Sequence, residues 1–294
     1  MRPFGLIGVP IDSVGRSGGT EKSPQALRDL GLLDILGSGT DHGDLPIAIR
    51  GDDRDPVSGL IAHDSVIAST VAIREATRDS LGRTERVFMA GGCCTELVGA
   101  LAGARDAIGE VSLAYFDGHL DLYDGETSPT GEAADMPVAT VLGRGPAAWV
   151  EAAGGNSVAP ARTAILGYRD LEESKTYGSL QPDDFGPDLF TASNEDLKRD
   201  AAGVGAQTES QLRERGGKIW LHLDVDVLDE NVFPATDYLA PEGLAWSELI
   251  EAMRPFGASD ELIGVSIGCY NPDKDAESKC GRALVDGLGT ILNG

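Results

Sequence analysis

Six short apolar runs containing β-branched residues recur along the chain: "FGLIGVP" (4–10), "RVFMAGG" (86–92), "VSLAYFDGH" (111–119), "RTAILGY" (162–168), "KIWLHLDVDV" (218–227) and "ELIGVSIG" (261–268). Runs this short and continuously apolar suit strands covered on both faces, which is the situation in parallel sheets whose crossovers are helices. The intervening segments carry helix signals: Ser23-Pro24 opens "SPQALRDLGLL", a stretch from Leu60 closes at Gly82, and "LAWSELIEAMRPFG" ends at Pro255 and Gly257. Strand, helix and strand in alternation predict an α/β protein with a parallel sheet between helical layers. No low-complexity linker or internal repeat divides the 294 residues, so a single domain over 1–294 is expected, long enough to bury a full core.

Charge narrows the partners. Asp and Glu number 48 against 24 Lys and Arg, a formal charge of -24, and such a chain repels nucleic acid and anionic membrane. A small cationic substrate is compatible with it, although most of the charge reads as solvated surface. The start, "MRPFGLIGVPIDSVG", lacks a secretory pattern, and no run approaches the ~18 apolar residues of a membrane span, so a cytoplasmic location is expected. Cys93, Cys94, Cys269 and Cys280 make neither a disulfide framework nor a CxxC zinc motif.

In an open parallel sheet, ligands bind beyond the carboxyl ends of the strands. Two of those ends are unusually polar. "YFDGHLDLY" sets Asp117, His119 and Asp121 at i, i+2 and i+4, and "LHLDVDVLDE" repeats the spacing with Asp224 and Asp226, followed by Asp229. A lone DxD is commonly a solvated loop, but two such clusters at strand ends repel each other unless a cation neutralises them. Oxygen-rich ligation with one imidazole favours Mn2+ or a similar divalent ion, one or two per chain. His222, in mid-strand, reads as a core residue, and His42 and His63 as surface residues.

With these motifs in view the sequence resembles the arginase/agmatinase (ureohydrolase) family. "DGHLD" is similar to that family's DAHxD, "DVDVLDE" to DxDxxDP, "GGCCTE" to GGDHS, "TGEAADMP" to SGNxHGMP, and "CYNP" to an ExNP segment; "RSGGTEKSPQALRDLGLLDIL" resembles its glycine-rich segment and following helix. The matches keep the family's order from near residue 8 to near residue 272. The resemblance implies a three-layer αβα fold with a roughly eight-stranded parallel sheet. It also implies a binuclear manganese centre that hydrolyses a guanidinium or related amidine C–N bond, and a homo-oligomer, trimer or hexamer.

Residue by residue, the resemblance makes Asp117 and Asp224 bridging ligands and adds His119 and Asp226 to one metal. It gives Asp121 to the other metal, with a second role holding the attacking hydroxide. Cys94 falls where the family has a histidine ligand, and Cys93 where it has an aspartate. A thiolate there shifts preference toward zinc or iron, while a neutral thiol leaves that site weak or empty. The family's proton-shuttling histidine aligns with Ala134, and the glutamate that receives the guanidinium aligns with Cys269, so arginine itself is not the expected substrate. Glu132 and Asp135 read either as acid, base or substrate anchor in compensation, or as caps of a helix near Met136.

The leading expectation is therefore metal-assisted hydrolysis, with Asp121 orienting the nucleophile and Glu132 or Asp135 protonating the leaving nitrogen. Two other readings stand beside it: a single-metal deacetylase-like amidohydrolase, and a metal-binding member without activity. Substrate-binding candidates are Cys269 and, in "GYRDLEESK" (167–175), Asp170 and Glu172 for a cationic tail. Cys94 and Cys269, placed in one pocket, invite a disulfide when metal is absent. Residues 177–191 read as a lid or subunit contact, and "GRSGG" (15–19) as a flexible rim of the site.

Overall fold

A segment such as Val87–Gly91 has no polar face to turn to water and must be covered on both sides. The computed structural model, which describes residues 3–37, 39–83 and 86–294, buries the apolar runs in that way. The strands are β1 (Phe4–Val9), β2 (Thr40–Asp44), β3 (Arg86–Gly91), β4 (Val111–Phe116), β5 (Thr163–Leu166), β6 (Phe190–Ala192), β7 (Lys218–Asp224) and β8 (Leu262–Gly268). They form one sheet in the order β2-β1-β3-β8-β7-β4-β5-β6, every pairing parallel. β1, β3, β4, β5 and β8 are buried at every residue.

The helices are α1 (Ser23–Asp29), α2 (Leu32–Ile35), α3 (His63–Leu81), α4 (Glu96–Ile108), α5 (Pro137–Val141), α6 (Ala147–Ala152), α7 (Leu171–Thr176), α8 (Asn194–Glu214), α9 (Trp246–Gly257) and α10 (Lys279–Asn293). Two groups flank the sheet: α3 to α6 pack on one another, and α1, α2, α8, α9 and α10 do the same. The expected three-layer αβα arrangement with eight parallel strands is what forms. Among the described residues, no helix is long and apolar enough to cross a membrane.

All six strands expected from the sequence are present; the two unexpected ones, β2 and β6, are the sheet edges. β2 reads "TDHGD" and is largely exposed. Arg28 holds it, with Nε 2.9 Å from Asp41 and a terminal nitrogen 2.5 Å from Asp44. The helix expected from "SPQALRDLGLL" is two helices, because Gly31 takes a left-handed φ of 89° between α1 and α2. Residues 177–191 lead through a 3-10 turn (Pro182–Phe185) into β6, and none of them lines the cavity described below.

The middle of the sheet positions the site. Ala90 pairs with Ile267, Asp224 with Gly268, and Phe116 with Leu223, so the carboxyl ends of β3, β8, β7 and β4 lie side by side. Just past them the Cys269 amide donates to the Gly92 carbonyl at 3.0 Å, which continues the alignment into the loops.

Candidate metal centre

Each of the four central strands delivers one or more side chains to a common region. β4 supplies Asp117, with His119 and Asp121 in the turn after it; β7 supplies Asp224, with Asp226 in the following 3-10 turn (Val225–Val227). β3 leads to Cys94, and β8 to Cys269. His119 Nδ1 lies 3.1 Å from Asp226 Oδ2 and 3.4 Å from Asp117 Oδ1. Cys94 Sγ lies 2.7 Å from Asp224 Oδ2, 3.8 Å from Asp117 Oδ2 and 3.8 Å from Cys269 Sγ. Asp117, Asp121, Asp224 and Asp226 are all at most 6% exposed, so their charges have little water to turn to.

Backbone amides fix several of these carboxylates. His119 N donates to Asp117 Oδ1 at 2.7 Å, Asp226 N to Asp224 Oδ1 at 2.8 Å, and Gly118 N to Asp226 Oδ1 at 3.0 Å. The Tyr115 hydroxyl donates to Asp121. Two non-glycine residues of the site adopt positive φ, Asp121 at 51° and Cys269 at 68°. Such strain persists where surrounding structure enforces it, and it gathers at functional positions.

The electrostatics show what the cluster lacks. Burial, then the neighbouring Asp226 charge, lifts Asp117 to about 6. Asp121 and Asp224 are pushed well above the carboxylate range, again by burial first and Asp117 or Asp226 next. Burial opposes the imidazolium of His119, but Asp226 and Asp117 outweigh it and raise that group well above its ordinary value. Burial also raises the Cys94 thiol. Such crowding is relieved by a dication. Three sets of donor atoms each lie within 4.8 Å of one another: Asp117–His119–Asp226, Cys94–Asp117–Asp121 and Cys94–Asp224–Cys269. The residues present therefore fit one or two divalent ions, with oxygen and nitrogen donors on one side and sulfur on the other.

Above these donors opens a cavity of about 150 Å³. Ten of its twenty-one lining residues are Asp or Glu, and none is Lys or Arg. Glu132 and Asp135 both line it, on either side of Ala134. Neither side chain caps a helix. Ser13 Oγ (3.2 Å) and the Tyr238 hydroxyl (2.7 Å) donate to Glu132, and Ser128 Oγ (2.6 Å) and Thr130 Oγ1 (2.5 Å) donate to Asp135. Burial raises both carboxyls above their ordinary values, against the pull of these donors. Asp170 lines the cavity as well, its Oδ1 accepting from Leu120 N at 3.1 Å.

One expected residue is misplaced. Glu172 does not reach the cavity: it lies on the solvent face of α7, its side chain 85% exposed and paired with Lys175 at 2.7 Å. The next residue, Glu173, reaches the cavity instead, since successive helical residues point about 100° apart. Cys94 and Cys269 are free thiols, not a disulfide. His222 is fully buried, as expected of a core residue, yet its Nε2 stands 3.2 Å from Cys94 Sγ. His42 is exposed and His63 half-buried. The stretch after β1 contributes Ser13, Val14 and Thr20 to the cavity wall; residues 15–19, "GRSGG", run between these and line none of it, Gly18 N donating to Asp12 Oδ2 at 2.9 Å. Asp12, Asp237 and Tyr238 line the cavity too and were not expected. Asp12 lies just beyond the end of β1, where the strand-end rule points; the 237–238 loop carries no such signal.

Comparison with known proteins follows the same outline. The Arginase family model matches residues 2–289. The chain is 26% identical to the arginase of Bacillus caldovelox, over 99% of this chain and 98% of that protein. The solved structure of that arginase superposes with a TM-score of 0.87 at 24% identity, covering 100% of this chain and 99% of the other. The formimidoylglutamase of Bacillus subtilis shares the fold, with a TM-score of 0.77 at 16% identity over 100% of this chain and 87% of that one.

Proposed function

Because the chain belongs to the arginase family, we propose that it is a metal-dependent hydrolase of a C–N bond in a small cationic guanidino or amidine compound. The observation that carries this reading is a cavity wall with ten acidic residues and no Lys or Arg, standing over the three donor triads. Asp117, His119 and Asp226 would hold one divalent ion, and Asp121, Asp224 and Cys94 would hold or complete a second, Mn2+ being the family's ion. When bound, such an ion supplies Lewis acidity and makes water nucleophilic near neutral pH.

The chain's own groups do the rest. Asp121, fixed by Tyr115, orients the attacking water. Glu132, whose raised pKa keeps it protonated to higher pH than an ordinary carboxyl, gives its proton to the leaving nitrogen. Asp135, held by Ser128 and Thr130, lines the same cavity as Glu132. Asp170 and Glu173, which also line the cavity, receive a cationic tail. Cys269 stands where the family places a guanidinium-binding glutamate, so the head group accepted is one that needs no carboxylate partner there. That separates the substrate from arginine.

The test is a panel. Protein loaded with Mn2+, Zn2+, Co2+ or Fe2+ is offered guanidino acids, guanidino amines, formimino compounds and acetylated amines, and release of urea, ammonia, formamide or acetate is followed. Turnover of a guanidino or amidine compound is expected, lost on chelation and restored by metal. Turnover of acetylated amines alone, or none with any metal, would overturn the reading.

A further inference from the structure

We propose that Cys269 is a metal ligand, forming with Cys94 and Asp224 a two-sulfur, one-carboxylate seat that selects a thiophilic divalent ion of the Zn2+ class over Mn2+. This deepens the metal-dependent reading above. It reassigns Cys269 from the substrate to the metal.

Topology brings the three groups together before any side chain is considered. β8 lies between β3 and β7, so the residue after β8 sits between the ends of its two neighbours. Cys269 follows Gly268, which pairs with Asp224 on one side, and its amide bonds to Gly92 on the other, two residues from Cys94. The sulfurs are 3.8 Å apart and Asp224 Oδ2 is 2.7 Å from Cys94 Sγ. A sulfur–sulfur separation of 3.8 Å is far longer than a disulfide bond and is what two ligands about 2.3 Å from a shared ion subtend. The positive φ of Cys269 turns its side chain into this point, and cysteine is a poor choice for that strain unless the sulfur is used there.

The surroundings hold Cys94 in place. A Cβ on Gly268 would lie 3.1 Å from its sulfur, so the thiol is seated against β8. On the other side is a fixed polar chain. Trp220 Nε1 donates to Ser266 Oγ at 2.9 Å, Ser266 Oγ meets His222 Nδ1 at 2.7 Å, and His222 Nε2 meets the sulfur at 3.2 Å. Every buried donor in this chain finds an acceptor when Ser266 donates to Nδ1 and Nε2–H donates to Cys94 Sγ. A ring N–H aimed at sulfur is the support a thiolate ligand receives from its neighbours in metal sites. His222 is thus a positioning residue for Cys94.

Binding is balanced as follows. Two sulfur–metal bonds form, two S–H bonds break, and both protons leave to solvent. Sulfur donors favour zinc and similar ions, whereas Asp117, His119 and Asp226, beside them, offer the harder donors that suit Mn2+. The two halves of the centre therefore differ in preference.

The experiment reads ligation without turnover. Wild-type protein, freed of metal and kept reduced by a phosphine, is loaded with one equivalent of Zn2+ and studied by X-ray absorption at the zinc edge; two sulfur neighbours at about 2.3 Å are expected. In parallel, Co2+ loading should give a sulfur-to-metal charge-transfer band. Cys94→Ser and Cys269→Ser should each reduce it by about half and weaken Zn2+ binding at least about tenfold, while Cys280→Ser leaves it intact. A zinc edge showing only oxygen and nitrogen, or a Cys269→Ser variant with full band and unchanged Zn2+ affinity, would overturn the proposal. The outcomes separate from those of the functional reading: a sulfur-ligated ion without hydrolysis sinks only the activity, and Mn2+-driven hydrolysis without sulfur ligation sinks only this assignment.

Discussion

Two carboxyls illustrate how burial decides a residue's part. Glu132 is raised by burial and restrained by hydrogen bonds from Tyr238 and Ser13. As an acid it acts while protonated, so kcat/KM is expected to fall as pH rises through its raised value. Glu132→Gln should remove that limb and lower kcat by about 10²–10⁴-fold. Tyr238→Phe deletes a donor that favours the charged form, so the limb should move to higher pH; a pH–rate profile with the limb unmoved in both variants would exclude Glu132 as the acid. Glu96 is the contrasting case. It is fully buried in the first turn of α4, and neither of its oxygens meets a protein donor among the described residues. Replacing it with Met keeps the shape and removes the desolvated carboxyl, so the metal-free protein should gain about 1–3 kcal/mol in denaturant unfolding. Sequence alone exposes one of these two positions. Asp117, His119, Asp121, Asp224 and Asp226 were legible because polar residues are conspicuous at the ends of apolar strands. Glu172 misled because one step along α7 separates solvent from cavity, and the position of a short helix's faces is set by packing that the sequence does not state. Cys269 was placed in one pocket with Cys94 through family resemblance alone, because their nearness depends on β8 lying between β3 and β7, and strand order is not written in local pattern.

At the level of elements, legibility followed burial. The six interior or near-interior strands were recoverable since a strand covered on both faces is forced to be apolar throughout. β2 and β6 are edges, and an edge strand can be short and charged, which removes the apolar signal. Thr40–Asp44 is held by pairing with β1 and by Arg28, which binds its Asp41 and Asp44 side chains, and not by an apolar face. The close crossing of α3 and α4 has a similar hidden basis. Gly99 and Gly103 lie one turn apart on α4 and face α3: a Cβ on Gly103 would come 2.3 Å from the Arg74 carbonyl and 2.7 Å from Thr77 Cβ, and one on Gly99 2.7 Å from Ile73 Cβ. Both obstacles are backbone or branched carbon and cannot swing away. Gly103→Ala should therefore cost about 1–3 kcal/mol, despite the better helix propensity of alanine. The same change at Gly37, where a Cβ meets nothing within 4 Å, tests the backbone alone, since its φ is 69°. If Gly103→Ala proved neutral in thermal unfolding, the helices would be shown to separate without penalty.

For the whole molecule the question is whether a charge of -24 serves only solubility or also the site. The two roles make different demands. Charge spread over the surface acts on any cation at long range and is screened once the Debye length, about 10 Å at 0.1 M salt, falls below the distance involved. Charge concentrated in the cavity acts at contact and survives salt much better. Here both are present: the cavity wall holds ten acidic residues and no basic one, in a chain whose acidic residues outnumber its basic ones two to one. For a substrate with a cationic tail, kcat/KM should thus fall several-fold as salt rises from low to near-molar concentration, through the association step, and then level off at a value set by the cavity. Asp170→Asn should act on that plateau, raising KM for the cationic tail by about tenfold while leaving the salt slope nearly unchanged, because one charge in twenty-four hardly alters the far field. A neutral-tailed analogue should show neither effect. Were the wild-type salt slope instead flat, or were Asp170→Asn without effect on cationic and neutral tails alike, the acidic balance would be a property of the surface only, and the tail would have to be read elsewhere in the cavity.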